Sequence, residues 1–336
     1  MKRKLAFLLM LCFGWSFFLN GCGGTLPKTD DRLQVVCTIF PEYDWARQLT
    51  QGVDNVDLTL LVKNGTDLHS YQPSVRDIAM IARADVFCYV GGVSDTWVND
   101  VLDTTENRTA QLVSMAEAAD ADEEVLAEGM QAEHEHEHEH EHEHEHHDDE
   151  NDSHEEPPEL DEHVWLSLRR AALACTAMKE ALCKADPAHE DIYNQNCPDY
   201  LQKLQELDSD FTEMTSQAAR DTIVVADRFP FRYLAEDYGL TYYAAFPGCS
   251  AETEASFETI VFLSEKVESL HLPCVLVTEG SNSSLAKTIL ENAGSDGKIL
   301  TLQSLQAVSQ KEIDAGVTYL SKMQENYDVL KQALNS

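Results

Sequence analysis

Asp186-Pro187-Ala188-His189-Glu190-Asp191-Ile192-Tyr193-Asn194-Gln195-Asn196-Cys197-Pro198-Asp199-Tyr200-Leu201 opens the stretch that decides the fold. Asp186 is placed as a helix cap and Pro187 in a first turn, where the missing amide costs nothing. The helical pattern then runs to about Gln217 through Leu201, Leu204, Leu207 and Phe211. Pro198 falls inside that pattern and is expected to kink or split it. On both sides of this helix, short apolar runs alternate with helical ones. Upstream, strand-like runs begin at Leu33, Val56 and Val86, with a weaker one at Leu112, and Leu166–Lys184 reads as an amphipathic helix. Downstream, Thr222–Ala226, Thr241–Ala245, Cys274–Thr278 and Lys298–Leu302 read as strands, and Val317–Leu334 as a closing helix. Strands alternating with helices at this spacing call for parallel sheets. The fold class expected is α/β: two lobes, each a parallel sheet flanked by helices, joined by a long interlobe helix. The expected boundaries are 33–185 for the first lobe, 186–219 for the helix and 220–336 for the second lobe.

The N-terminus reads as a targeting segment. Met1-Lys2-Arg3-Lys4 is a positive n-region, and Leu5–Leu19 is an apolar run of signal-peptide length, short for a membrane span. It ends in Leu19-Asn20-Gly21-Cys22-Gly23-Gly24, which resembles a bacterial lipobox. The expectation is a signal peptide over 1–21, lipidation of Cys22, and a tether over 22–32. The body would then sit outside the cytoplasmic membrane, anchored to the bilayer through Cys22.

Within the first lobe's span lies an unusual insertion. Glu and His alternate from Glu133 to His146-His147, and eight of the 13 histidines fall between His134 and His147. The region from about 120 to 160 carries too little apolar surface to offset its ordering entropy, and it is expected to be a disordered loop. Imidazoles are good ligands for zinc, copper and nickel, so the tract reads as a metal collector. The net charge of −36 argues against nucleic acid or anionic lipid surfaces as partners and suits cation binding. Of nine cysteines none forms a CxxC pair, so no thiolate zinc knuckle is indicated. Cys37, Cys88 and Cys274 lie in apolar strand-like runs and read as small buried hydrophobes.

Two short motifs carry a family resemblance. Asn64-Gly65-Thr66-Asp67-Leu68-His69-Ser70-Tyr71-Gln72-Pro73-Ser74 resembles the PG-x-D-P-H-x-Y-E-P-S loop of zinc and manganese solute-binding lipoproteins of ABC importers. Asp161-Glu162-His163-Val164-Trp165-Leu166 resembles their D-P-H-V-W-L motif. A His-rich loop just ahead of the second motif is typical of the zinc-specific ZnuA-like and AdcA-like members. Gly248-Cys249-Ser250-Ala251-Glu252-Thr253-Glu254 and the late helix fit as well. The resemblance implies a rigid interlobe helix, one metal in the cleft, and delivery to the permease and ATPase of an importer by a monomeric receptor. It carries two metal ligands over residue by residue, His69 and His163.

The other two family ligands are altered. Relatives place a third histidine in a segment that here reads Val224-Val225-Ala226-Asp227-Arg228-Phe229-Pro230. Counting from the helix puts Arg228 at that position; counting from the strand puts Asp227 there. A guanidinium stays protonated and does not ligate a cation, whereas a carboxylate does. Asp227 is therefore the candidate, with Arg228 turned outward or paired to an acid. Relatives supply a fourth, carboxylate ligand after the last strand, where this chain has Leu302-Gln303-Ser304-Leu305-Gln306. Gln303 is the candidate there, with Gln306, Glu279 or a water as alternatives. The expected cargo is Zn2+. The competing readings are an extracellular metal buffer or adhesin-like surface protein, and the same transport role for manganese, nickel or another divalent metal. No HExxH or other hydrolytic motif is present, and an enzyme is not expected.

Overall fold

The computed structural model describes residues 32–63, 65–105, 109–130, 160–250 and 254–336. The lipobox with Cys22 and the His/Glu run from residue 131 to 159 lie outside them. The N-terminal sheet contains β1 (Leu33–Cys37), β2 (Val56–Leu60), β3 (Val86–Tyr89) and β4 (Gln111–Ser114), in the order β2-β1-β3-β4. The C-terminal sheet repeats that topology with β5 (Thr222–Phe229), β6 (Thr241–Pro247), β7 (Cys274–Thr278) and β8 (Lys298–Leu302), in the order β6-β5-β7-β8. All pairings are parallel, as the alternation requires. Both sheets bury both faces. Val35 and Cys37 point into the main core while Val36 points to the helix-covered outer face, and Val225 and Val224 divide in the same way. The doubly wound order reverses between β1 and β3, and again between β5 and β7. Ligands of such sheets sit outside the carboxyl ends of the strands at that point.

The connecting helix spans Glu190–Ser216, 27 residues or roughly 40 Å at 1.5 Å per residue. Its buried residues are Tyr193, Cys197, Tyr200, Leu204, Leu207, Phe211 and Met214, alternately four and three apart. That spacing makes one apolar stripe. The stripe packs against helices Leu168–Ala185, Phe40–Leu49 and Tyr319–Asn335. Two local expectations differ from what is found. The helix is continuous through Pro198, which is exposed, so the carbonyl of Asn194 that loses its amide partner is also on the wet face. Asp186 is the N-cap residue of the short turn Pro187–His189, with Pro187 at its start, and not of the long helix that follows, whose N-cap is His189. Asp186 also closes the preceding helix, and its Oδ2 accepts hydrogen bonds from the Tyr193 hydroxyl and His189 Nδ1, both at 2.7 Å.

One apolar core runs from Trp45 and Trp165 through Tyr193 and Phe211 to Phe231 and Tyr319, spanning both sheets. Residues Leu33–Ser336 accordingly form a single compact unit. Polar pins cross it at three places. Trp165 Nε1 donates to the Ser304 carbonyl at 2.8 Å, and the Tyr319 hydroxyl donates to the Trp165 carbonyl at 2.7 Å. Buried Asp44 accepts from the Tyr319 amide at 2.7 Å, the first turn of the closing helix. These pins hold the segment carrying His163 against the C-terminal half.

Candidate metal centre

His69 sits in a single helical turn, Leu68–Ser70, just after β2. Asp67 caps that turn by accepting the His69 amide at 3.0 Å. Two groups then fix the imidazole. Ser94 lies in the turn after β3, and its hydroxyl proton is committed to Glu162 Oε1. The Ser94 oxygen therefore accepts from His69 Nδ1–H, 2.8 Å away, which leaves the lone pair on Nε2. Glu162 also takes the Ser94 amide at 3.0 Å, and its Oε1 lies 3.3 Å from His69 Nδ1.

His163 is fully buried and set in the same way. Asp161 Oδ1 accepts both its backbone amide, at 3.1 Å, and its Nδ1–H, at 2.9 Å. The two rings lie side by side, tilted by 53° with centroids 5.5 Å apart. Nε2 of His69 and Nε2 of His163 are both buried without a hydrogen-bond partner among the described residues. Unsatisfied buried polar atoms are rare and ask for an explanation. A lone pair left bare while a carboxylate or hydroxyl holds the opposite nitrogen is the arrangement of a metal-ligating histidine.

Two further groups stand with them. The ligand atoms of His69, Glu162, His163 and Cys249 all lie within 4.8 Å of one another. Cys249 comes from the loop after β6, and its amide donates to Glu124 at 3.3 Å. Gly248 makes that approach possible, because a Cβ there would lie 2.9 Å from His163 Cε1 and 3.0 Å from Nδ1. Gly92 does the same for Glu162, since a Cβ would come 2.2 Å from its Oε2.

The electrostatics suit a cation. Burial, then the neighbouring His163, push the His69 imidazole down to about 3, so it is neutral at physiological pH. Burial also opposes a charge on His163, but the hydrogen bond and charge of Asp161, with Glu162 and Glu124, outweigh it and raise that imidazole above its usual value. Burial followed by the Glu162, Glu124 and Asp161 charges pushes the Cys249 thiol up. A metal ion reverses the second and third effects, since it displaces protons from imidazole and thiol alike.

The other expected ligands are elsewhere. Asp227 lies at the end of β5 and lines the cleft, but its carboxylate accepts from Thr278 Oγ1 at 2.8 Å and from the Arg228 amide at 2.9 Å. It is outside the His69–His163 cluster. Arg228 pairs with Asp67 across the cleft at 2.9 Å. Gln303 is not among the residues lining the cleft cavity; its backbone is locked to the Asn326 side chain on the closing helix, with amide and carbonyl bonded at 2.7 and 2.9 Å. Glu279 holds the loop after β8 through the Ser304 amide and hydroxyl, both at 2.6 Å. Gln306 lines the cleft cavity of about 370 Å3 beside His69 and Arg228. Sequence reasoning passed over Cys249 and Glu162. The available signals were a cysteine following glycine in a polar loop rather than in an apolar strand, and a glutamate where the family motif has proline.

The family described as ZnuA, zinc-uptake complex component A, periplasmic, matches residues 35–333. The chain belongs to this family. Among curated ZnuA-family relatives, the zinc-binding lipoprotein AdcA of Streptococcus pneumoniae is 32% identical over 332 residues, covering 99% of this chain and 61% of that protein. The chain thus spans about three fifths of the length of the AdcA relatives it matches. The high-affinity zinc uptake system protein ZnuA of Bacillus subtilis is 30% identical, with 98% and 96% of the two chains covered. The Zn(II)-bound ZnuA-like domain of Streptococcus pneumoniae AdcA superposes with a TM-score of 0.68 at 28% identity, covering 91% of this chain and all of that one.

Proposed function

We propose that this ZnuA-family chain is the extracytoplasmic receptor of a zinc importer. It captures Zn2+ as cargo in the cleft between its sheets and presents it to an ABC permease and its ATPase. The observation that carries this reading is the pair of buried, partnerless Nε2 atoms on His69 and His163, each with its other nitrogen held by a proton acceptor. Neutral nitrogen donors brought from two separate loops are what a tetrahedral zinc shell takes. The zinc-binding and zinc-uptake names of the relatives favour zinc over manganese, as does the His/Glu tract. The receptor acts as a monomer tethered through a lipidated Cys22, and the tract raises the local zinc concentration. No bond of a substrate is made or broken.

Zinc titration against a competing chelator tests the reading on the full chain. The wild type is expected to hold one tightly bound zinc that the His163→Ala and His69→Ala variants lack, while the weaker sites of the tract persist in all three. If both variants keep the tight zinc, the cleft is not the receptor site.

A further inference from the structure

The cleft offers a donor set different from the one the family motifs supply. The segment of the third histidine holds Asp227, whose carboxylate is bonded to Thr278, and Arg228, a permanent cation. Its guanidinium is drawn to Asp67 and reaches toward the Ser250 carbonyl at 3.5 Å. The fourth position, after β8, holds Gln303, Ser304 and Gln306 in place of a carboxylate. Two residues compensate on neighbouring elements. β6 pairs with β5 so that Phe229 lies opposite Pro247. The loop carrying Cys249 therefore leaves the sheet one strand over from Arg228, at the same edge. Glu162 stands directly before His163, where the family motif has proline, and so brings a carboxylate into the buried cluster.

We propose that the cleft cation is held by Cys249 Sγ, His69 Nε2 and His163 Nε2, with the Glu162 carboxylate beside them supplying a second negative charge, replacing the family's third imidazole and late carboxylate. This rests on the reading of the chain as a zinc receptor. Zinc bonds of 2.0–2.3 Å in a tetrahedron put the ligand atoms about 3.3–3.8 Å apart. One donor atom from each of His69, Glu162, His163 and Cys249 already lies within 4.8 Å of the others, close to that span. His163 is fully buried, and its Nε2 has no hydrogen-bond partner among the described residues, which is what a cation there would satisfy. On binding, the S–H bond of Cys249 gives its proton to water and a sulfur–metal bond forms. One thiolate and one carboxylate then neutralise a divalent charge in a site where an uncompensated charge is costly. The cargo class follows from the sulfur donor: zinc and cadmium are favoured, and manganese, which prefers oxygen ligands, is selected against.

Cobalt(II) titration of the full chain tests this. Thiolate ligation gives a near-ultraviolet sulfur-to-cobalt charge-transfer band, and the His/Glu tract, which holds no cysteine, contributes none. The wild type is expected to develop the band at one equivalent and to shield Cys249 from iodoacetamide when zinc is added. Cys249→Ser is expected to lose the band and to bind zinc more weakly by at least the roughly 10–100-fold that loss of a supporting residue costs. Glu162→Gln is expected to keep the band and still bind more weakly. Cys249→Ala, and melting of each metal-free variant, guard against a folding defect. An unchanged band and affinity in the Cys249 variants would overturn the sulfur donor, and unchanged affinity in Glu162→Gln would overturn the carboxylate. If His163→Ala abolishes tight binding in the same series, the receptor reading survives that failure; if it does not, both fall.

Discussion

Two histidines of one chemistry are driven in opposite directions by their neighbours. His69 has its charged form suppressed to about 3 by burial and by His163, whereas His163 is raised by Asp161, Glu162 and Glu124 against the effect of its own burial. In the metal-free protein the His163 ring should therefore titrate above 6.5, and His69 should show no protonation above pH 5, by nuclear magnetic resonance of the two rings. The stability linkage follows from the raised value. His163 contributes stability that is fully present below its unfolded pKa and is lost as pH rises through the folded one. Metal binding runs the other way, because the ion needs the neutral ring; cleft affinity should fall as pH drops through the His163 titration. Gly248 tests the same packing from outside. A methyl there meets the His163 ring at 2.9–3.0 Å and the Phe229 carbonyl at 3.2 Å, so Gly248→Ala should cost about 1–3 kcal/mol in denaturant melts and weaken zinc binding together. The two histidines were legible because each lies in a patterned motif. Cys249 and Glu162 were not, because their role depends on which loops meet after folding. The pull of Asp227 toward Thr278 is likewise a tertiary fact that no local pattern encodes.

At the scale of elements, period and spacing carried most of the fold. The eight strands and the connecting helix were readable because apolar residues alternate or recur every three to four positions, with turn residues between. What failed was local. Pro198 reads as a break, yet the stripe on the opposite face, from Tyr193 to Met214, keeps the helix whole. An interior proline costs roughly 3 kcal/mol in helix propensity and a lost hydrogen bond, and here water solvates the freed carbonyl. Pro198→Ala should accordingly stabilise the chain, by about 1–3 kcal/mol in thermal melts, with no change in zinc affinity. A smaller gain would mean that the proline's fixed φ offsets its cost by restricting the unfolded chain.

Over the whole molecule, the two sheets are less independent than their repeated topology suggests. One core runs through both, and the Trp165–Ser304, Tyr319–Trp165 and Asp44–Tyr319 bonds tie the His163 segment to the C-terminal half. The proposed cation site at His69 and His163 lies within this shared body, so an ion bound there would stabilise folding as a unit. A ligand at 100 times its dissociation constant adds about 2.7 kcal/mol. At about 2.1 cal/mol/K per residue, that raises the melting temperature of a body this size by roughly 4 °C. Zinc added to the full chain in excess of the cleft's capacity should produce this shift in calorimetry. Ion taken up by the His/Glu tract, as proposed, gives no such shift if it is not coupled to folding of this body. His163→Ala should therefore abolish the shift while leaving much of the total zinc bound. A full shift in that variant would place the stabilising metal in the tract rather than between the sheets.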